Sequence, residues 1–218
     1  AGDDPRISYL VLNMTGFAVR PEHAWEIREE LKLVQSKGKK VIAYFEQVGM
    51  TGYHLASVAD VIVMEPQGMV IMPGLVMGRT YLKDALAKLG IGFDEWRFFT
   101  HKSAYESYSR TSFSDADRQQ YQEYIDDWYN LLRDDISASR SFDESKWENL
   151  INNKALFNGK KALKNGLVDK LDRWSNIDEI IKTEANQRLL KMPRRLLWDN
   201  AVVPEQWGAR PKIALVYG

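Results

Sequence analysis

The sequence predicts an α/β layered domain built on a mostly parallel sheet. The opening run "ISYLVLNMTG" (7–16) is continuously apolar and ends at a glycine, as expected of a strand buried on both faces. A helical stretch and a second apolar run, "KKVIAYFEQ" (39–47), follow at βαβ spacing. A third apolar run, "DVIVMEP" (60–66), then repeats the pattern.

The elements can be justified in order. Pro21 suits the first turn of a helix; Ala24, Ile27, Leu31 and Val34 share one face, and Gly38 ends it. Residues 7–46 therefore form the first βαβ unit. A short helix of small residues from Gly52 to Ala59 leads into the third strand, which is expected to turn at "QGMVIMPG" (67–74). "TYLKDALAKLG" reads as a helix closed by Gly90, and "FDEWRFFT" (93–100) as a further strand.

Beyond residue 105 the pattern is helical. Ser114 is placed to cap a long helix, with Asp115 and Asp117 at its positive end. Tyr121, Tyr124, Ile125, Trp128, Leu131, Leu132 and Ile136 give that helix an apolar face, a packing surface for this domain or for a partner protomer. Shorter helices are expected near 144–151, in "FNGKKALKNGLVDKL" up to Gly166, and in "NIDEIIKTEANQRLL". Residues 191–211 carry three prolines without periodicity and read as a linker, and "KIALVYG" at the end reads as the beginning of a strand.

Composition narrows the function. The 218 residues carry 30 basic and 30 acidic side chains, so no general field draws the chain to nucleic acid. With no cysteine there is no thiolate chemistry and no disulfide. The apolar stretch 59–78 is interrupted by Glu65, Pro66, Gln67 and Pro73, which excludes a membrane-spanning helix there. No metal-ligand spacing and no cofactor motif is present.

Two places could carry chemistry. The first is "GMTGYHLAS" (49–57), a strand-to-helix turn of the kind that presents backbone N–H groups outward, or simply a tight turn. Met50 stands where a nucleophile would. The second is Lys102, in "FFTHKSAYES". A lysine serves as a general base when burial lowers its pKa from about 10.4, and one that follows an apolar strand could be buried in this way. Otherwise it is a surface lysine at a strand end. His54 has no recognisable acid partner and reads as structural, and Ser57 as a packing residue whose hydroxyl bonds back to its helix.

Three stretches in order carry a resemblance: "GYHLASVADVIVMEPQG" (52–68), "HKSAYES" (101–107) and "FNGKKALKNGLVDKL" (157–171). They resemble the signal peptide peptidase A family, also called protease IV, whose fold is shared with Clp protease and the crotonases. That resemblance implies a Clp/crotonase-like layered parallel sheet with flanking helices and a helical extension. It implies a serine on an S-G-G-Y turn and a lysine in K-S-A acting as its general base. Matched residue by residue, Met50 takes the serine's place, Thr51 and Gly52 those of the glycines, and Lys102 that of the lysine. "NMTGF" (13–17) stands for an oxyanion turn in which only Gly16 is left, so Gly16 and Gly52 are vestigial oxyanion residues. His101 and Ser107 depart from the tyrosine and proline of the family's Y-K-S-A-x-E-P.

Long members of the family are tandem copies in which the N-terminal copy gives the lysine and the C-terminal copy the serine. The expectation is thus an N-terminal copy at 1–190, inactive alone, followed at 191–218 by a linker and the first strand of the next copy. The implied partners are signal peptides as substrates, the C-terminal copy supplying the serine, a homo-oligomer, and a membrane reached through an anchor outside this chain. The implied location is the bacterial inner membrane, with the domain facing the periplasm or the outside. Two other classes fit the residues: a non-catalytic assembly unit whose partner copy has also lost its serine, and, from "ADVIV" and G-L-V-D, an acyl-CoA enzyme.

Overall fold

The computed structural model describes residues 2–186. The expected linker and following strand at 191–218 lie outside the described residues. Strand β1 (Tyr9–Asn13), helix α1 (Pro21–Ser36) and strand β2 (Lys40–Val48) form the first βαβ unit, with β1 and β2 parallel. Helix α2 (Met50–Ala56) connects β2 to β3 (Val61–Ile71), which is again parallel to β2. Successive residues of β2 face opposite sides: Val41, Ala43 and Phe45 join the main core, whereas Ile42 and Tyr44 join a smaller cluster on the other face. This burial on both sides is why the run is continuously apolar.

Helices α3 (Lys83–Lys88) and α4 (Glu106–Ser109) are short, and α5 (Asp115–Arg140) is the long helix. Then come α6 (Glu144–Glu148) with a π-turn at Asn149–Lys154, β4 (Leu156–Asn158), α7 (Gly159–Lys164), β5 (Lys170–Leu171) and α8 (Ile177–Ala185). The sheet runs β1-β2-β3-β4, with β5 also on β3. The pairings are parallel except for β3 with β4. Ile177 and Ile180 of α8 close the smaller cluster, and Leu132 and Ile136 of α5 sit in the main core.

Two expectations at the strand level are corrected. The run 60–74 does not break into strand and turn, because β3 continues through Pro66 to Ile71. A bulge absorbs the break: Phe45 pairs with Met64, but Gln47 already pairs with Met69. Proline is tolerated at a bulge because no ladder N–H is needed there. Gly68 is required there, since a Cβ would stand 2.2 Å from the Glu46 carbonyl oxygen.

The second correction concerns 93–100, which forms no strand. Trp96, Phe98 and Phe99 are 87%, 85% and 72% exposed. An apolar run becomes a buried strand only where a sheet edge or a layer covers it, and no described element covers Trp96, Phe98 or Phe99. The segment is tied instead by Phe93, whose ring lies 5.4 Å from that of Tyr108, and by charge: Arg97 Nη1 donates to Glu106 Oε1 at 2.5 Å and Ser109 Oγ to Glu95 Oε2 at 2.6 Å. The aromatic face of α5 divides in a similar way, with Leu132 and Ile136 buried and Tyr124 61% exposed.

Candidate active site

The strand-to-helix turn forms as the sequence implies, but its leading side chain points inward. Gly49 is the N-cap, in extended conformation, and α2 begins at Met50, which is only 6% exposed and belongs to the main core cluster. A thioether packs there as an apolar filler. Gly52 faces Val48 so closely that a Cβ would lie 3.2 Å from its Cγ1. The preceding turn follows β1, with Thr15 N–H donating to Asn13 Oδ1 at 3.0 Å and Phe17 N–H to the Met14 carbonyl at 3.1 Å. Gly16 adopts φ +67°, a conformation that favours glycine. Since β1 and β2 are adjacent and parallel, both turns follow the carboxyl ends of neighbouring strands, where open α/β sheets place their sites.

Beneath this platform lies a buried polar node that the sequence reading left unpaired. Arg28 of α1, 1% exposed, donates from Nη1 to the His54 carbonyl at 2.6 Å and to Ser57 Oγ at 2.9 Å. From Nη2 it donates to the Asp135 carbonyl at 2.8 Å and to Ser139 Oγ at 2.5 Å. His54 meets Asp135 Oδ2 through Nε2 at 2.7 Å, so an acid partner does exist, supplied by α5 rather than by nearby sequence. A carboxylate only accepts, which makes Nε2 the protonated nitrogen. Nδ1 has no hydrogen-bond partner among the described residues. Burial, opposed by the bond to Asp135 and aided by the Arg28 charge, lowers the His54 pKa below the usual imidazole value. Ser57 Oγ donates to the His54 carbonyl at 2.9 Å, the packing role expected of it. Arg28, His54 and Asp135 are thus a strut joining α1, α2 and α5, and among the described residues no hydroxyl is bonded to the imidazole.

Lys102 lies elsewhere. It is exposed, so of the two readings the surface lysine holds, although no strand at 93–100 precedes it. It lines a cavity of about 450 Å³ with Arg79, Ser103, Asp117, Tyr121 and Tyr124, and none of Met50, Gly16 and Gly52 borders it. Ser114 caps α5 through its hydroxyl, which accepts from the Asp117 N–H at 3.2 Å. Glu106 is fully buried and accepts from Arg97 and from Ser114 Oγ, the latter at 2.6 Å. Burial alone would raise its pKa, but the bonds from Ser114 and Arg97 outweigh this and hold it below the usual carboxylate value. Arg79 was not singled out from sequence. It follows β3 in irregular backbone, and no periodicity marks it.

Residues 34–188 match the model of peptidase family S49. The chain belongs to that family. It is 33% identical over 171 residues to Protease 4 of Salmonella typhi, covering 77% of this chain and 26% of that protein. It is 32% identical over 147 residues to Protease 4 of Haemophilus influenzae, covering 67% and 24%. Against the chloroplastic serine protease SPPA of Arabidopsis thaliana it is 25% identical over 189 residues, covering 87% and 27%. The chain spans about a quarter of the length of these relatives. The S49 fold is Clp/crotonase-like, in agreement with the parallel-dominated sheet and its flanking helices. "ADVIV" and G-L-V-D, which had suggested an acyl-CoA enzyme, both fall within the matched residues.

Proposed function

We propose that this chain is the lysine-bearing unit of a longer serine peptidase of the Ser-Lys type. Lys102 is its general base, and the nucleophilic serine comes from another copy of the fold in the same protein. The observation that carries this reading is the separation of the two half-sites. The platform that would hold a serine holds a buried Met50, while Lys102 opens to solvent on a cavity that the platform does not border. A base presented outward serves a nucleophile that arrives from outside.

The exposed Trp96, Phe98 and Phe99, just before the lysine, support the same reading. They are the apolar surface that an apposed copy would cover, in this chain's own continuation or in a homo-oligomer. Peptides, cleaved signal peptides among them, would be the substrates. In the reaction Lys102 Nζ removes the serine Oγ proton as Oγ attacks the scissile carbonyl, and then returns it to the leaving amine. Gly16 and Gly52 shape turns and hold no oxyanion here. The proposed location, the bacterial inner membrane with the domain outside the cytoplasm, rests on the family resemblance, and no described helix is long and apolar enough to cross a membrane.

The test is Lys102→Ala in the full-length protein, assayed on a signal-sequence peptide. Loss of a positioned base should lower kcat by about 10²–10⁴-fold. Unfolding should be unchanged, because the side chain is exposed. Activity that survives the change overturns the assignment, as would Lys102-dependent hydrolysis by the 218-residue chain alone.

A further inference from the structure

Lys102 sits on irregular backbone with few bonds of its own, its N–H donating to the Phe99 carbonyl at 3.2 Å. Residues 101–104 form neither helix nor strand, yet the loop must keep one ammonium in place. One guanidinium gathers most of the bonds that hold it. Arg79 donates from Nη2 to the Ser103 carbonyl at 2.6 Å and to the Ala104 carbonyl at 2.7 Å, and from Nε to Ser107 Oγ at 2.8 Å. Its Nη1 donates to Asp117 Oδ2 at 2.6 Å. The other Asp117 oxygen, Oδ1, accepts from Ser103 Oγ. Asp117 is itself buried and fixed in the first turn of α5, where its N–H meets the Ser114 cap.

The Lys102 loop is therefore pinned to a 26-residue helix through the Ser103–Asp117 bond and through an ion pair whose members are 12% and 1% exposed. The planar fork is used on every side, a pattern an ammonium cannot reproduce. Both charges also line the cavity onto which Lys102 opens.

We propose that Arg79 and Asp117 are positioning residues for Lys102: they fix its loop against α5 and set the charge of the cavity in which it works. This rests on the reading of Lys102 as the base. A role in holding the loop predicts lower kcat with little change in KM. A role in setting charge predicts something a structural role alone would not give, namely opposite movements of the pH profile.

The experiment compares the full-length protein with Arg79→Lys, Arg79→Gln, Asp117→Asn and Ser103→Ala on one peptide substrate across pH. Each of the first three should lower kcat by about tenfold or more through misplacement of the base. Asp117→Asn removes a negative charge and should move the acid limb of kcat/KM down by about half to one pH unit. Arg79→Gln removes a positive charge and should move it up by a similar amount, and Arg79→Lys, which keeps the charge, should leave it in place. Ser103→Ala removes one hydroxyl from the same bridge and is the readout should the charge variants fail to fold; it should lower kcat by about threefold or more. Wild-type kcat in the folded variants, or limbs that do not separate by charge, would overturn the proposal while Lys102→Ala remained inactive. An active Lys102→Ala would instead remove the base itself.

Discussion

Replacing Arg28 by methionine should destabilise the platform without touching the cavity at Lys102. Methionine approximates the aliphatic part of the buried stem but removes four donated hydrogen bonds, two to main-chain carbonyls and two to hydroxyls. Each such bond contributes about 1 kcal/mol net, and more where the donor is charged. The sum is not fully lost. The His54 carbonyl keeps a bond from Ser57 Oγ. The variant also escapes the burial of a guanidinium, whose pKa burial drives below its usual value despite the neighbouring Asp135 charge. Against this, Asp135 loses the Arg28 Nε that stands 3.5 Å from its Oδ2. The balance is a loss of about 2–4 kcal/mol, or roughly 5–15 °C in Tm for a domain of this size. Urea unfolding followed by tryptophan fluorescence measures it, with Arg28→Lys as a companion that keeps the charge but not the fork. A loss below about 1 kcal/mol in Arg28→Met would refute the view that this node ties α1, α2 and α5 together.

Acid should weaken the same node first through His54. Its folded pKa lies below the ordinary 6.5, so its contribution to stability is full above about pH 6.5 and is lost as pH falls below that value. The slope is at most about 1.4 kcal/mol per pH unit, and His54→Gln should flatten it in urea titrations between about pH 5 and 7. Asp135, its pKa held below the carboxylate value of 3.8 because the His54 bond and the Arg28 charge outweigh burial, adds a second loss only in stronger acid. At the β3 bulge, Gly68→Ala would place a Cβ 2.2 Å from the Glu46 carbonyl and 2.8 Å from that of Glu65, both main chain. That should cost about 2–4 kcal/mol, whereas Gly92→Ala, with nothing within 4 Å, should change stability by less than about 0.5 kcal/mol in the same assay.

The strands and helices that were legible in the sequence are those whose pattern is enforced by a layer on each side. The continuous apolar run of β2, the Pro21 start of α1 and the Ser114 cap of α5 can each be read from the local sequence, and each is found where expected. What was not legible depended on partners far away in the chain. His54 lacked an acid because Asp135 is 81 residues on, and Arg79 had no mark because its acceptors lie 24 to 38 residues away, two of them main-chain carbonyls. The aromatic run 93–100 misled for a related reason: apolar composition states that a surface is to be covered, not that this chain covers it.

The motifs that carried the resemblance separate into two groups once their contacts are known, and the division bears on function. Tyr53, of the first motif, donates its hydroxyl to the Leu167 carbonyl of the third at 2.7 Å. Asp169, also of the third, accepts from the Ile62 N–H at 2.8 Å and from Arg140. A Cβ on Gly159 would stand 2.5 Å from the Pro66 carbonyl. These residues lock one another around β3, so the platform's fold is sufficient reason to keep them whether or not a nucleophile stands at position 50. "HKSAYES" takes no part in that lock. Its side-chain hydrogen bonds, and those it accepts from Arg79, run to Arg79, Arg97, Ser114 and Asp117, and they organise a loop that buries no apolar core. A buried ion pair spent on an exposed loop costs desolvation and gains little stability. If Lys102 is the base proposed above, its return is the placement of what the loop carries, since Lys102 faces the cavity from that loop with a titratable nitrogen at the end of a flexible stem.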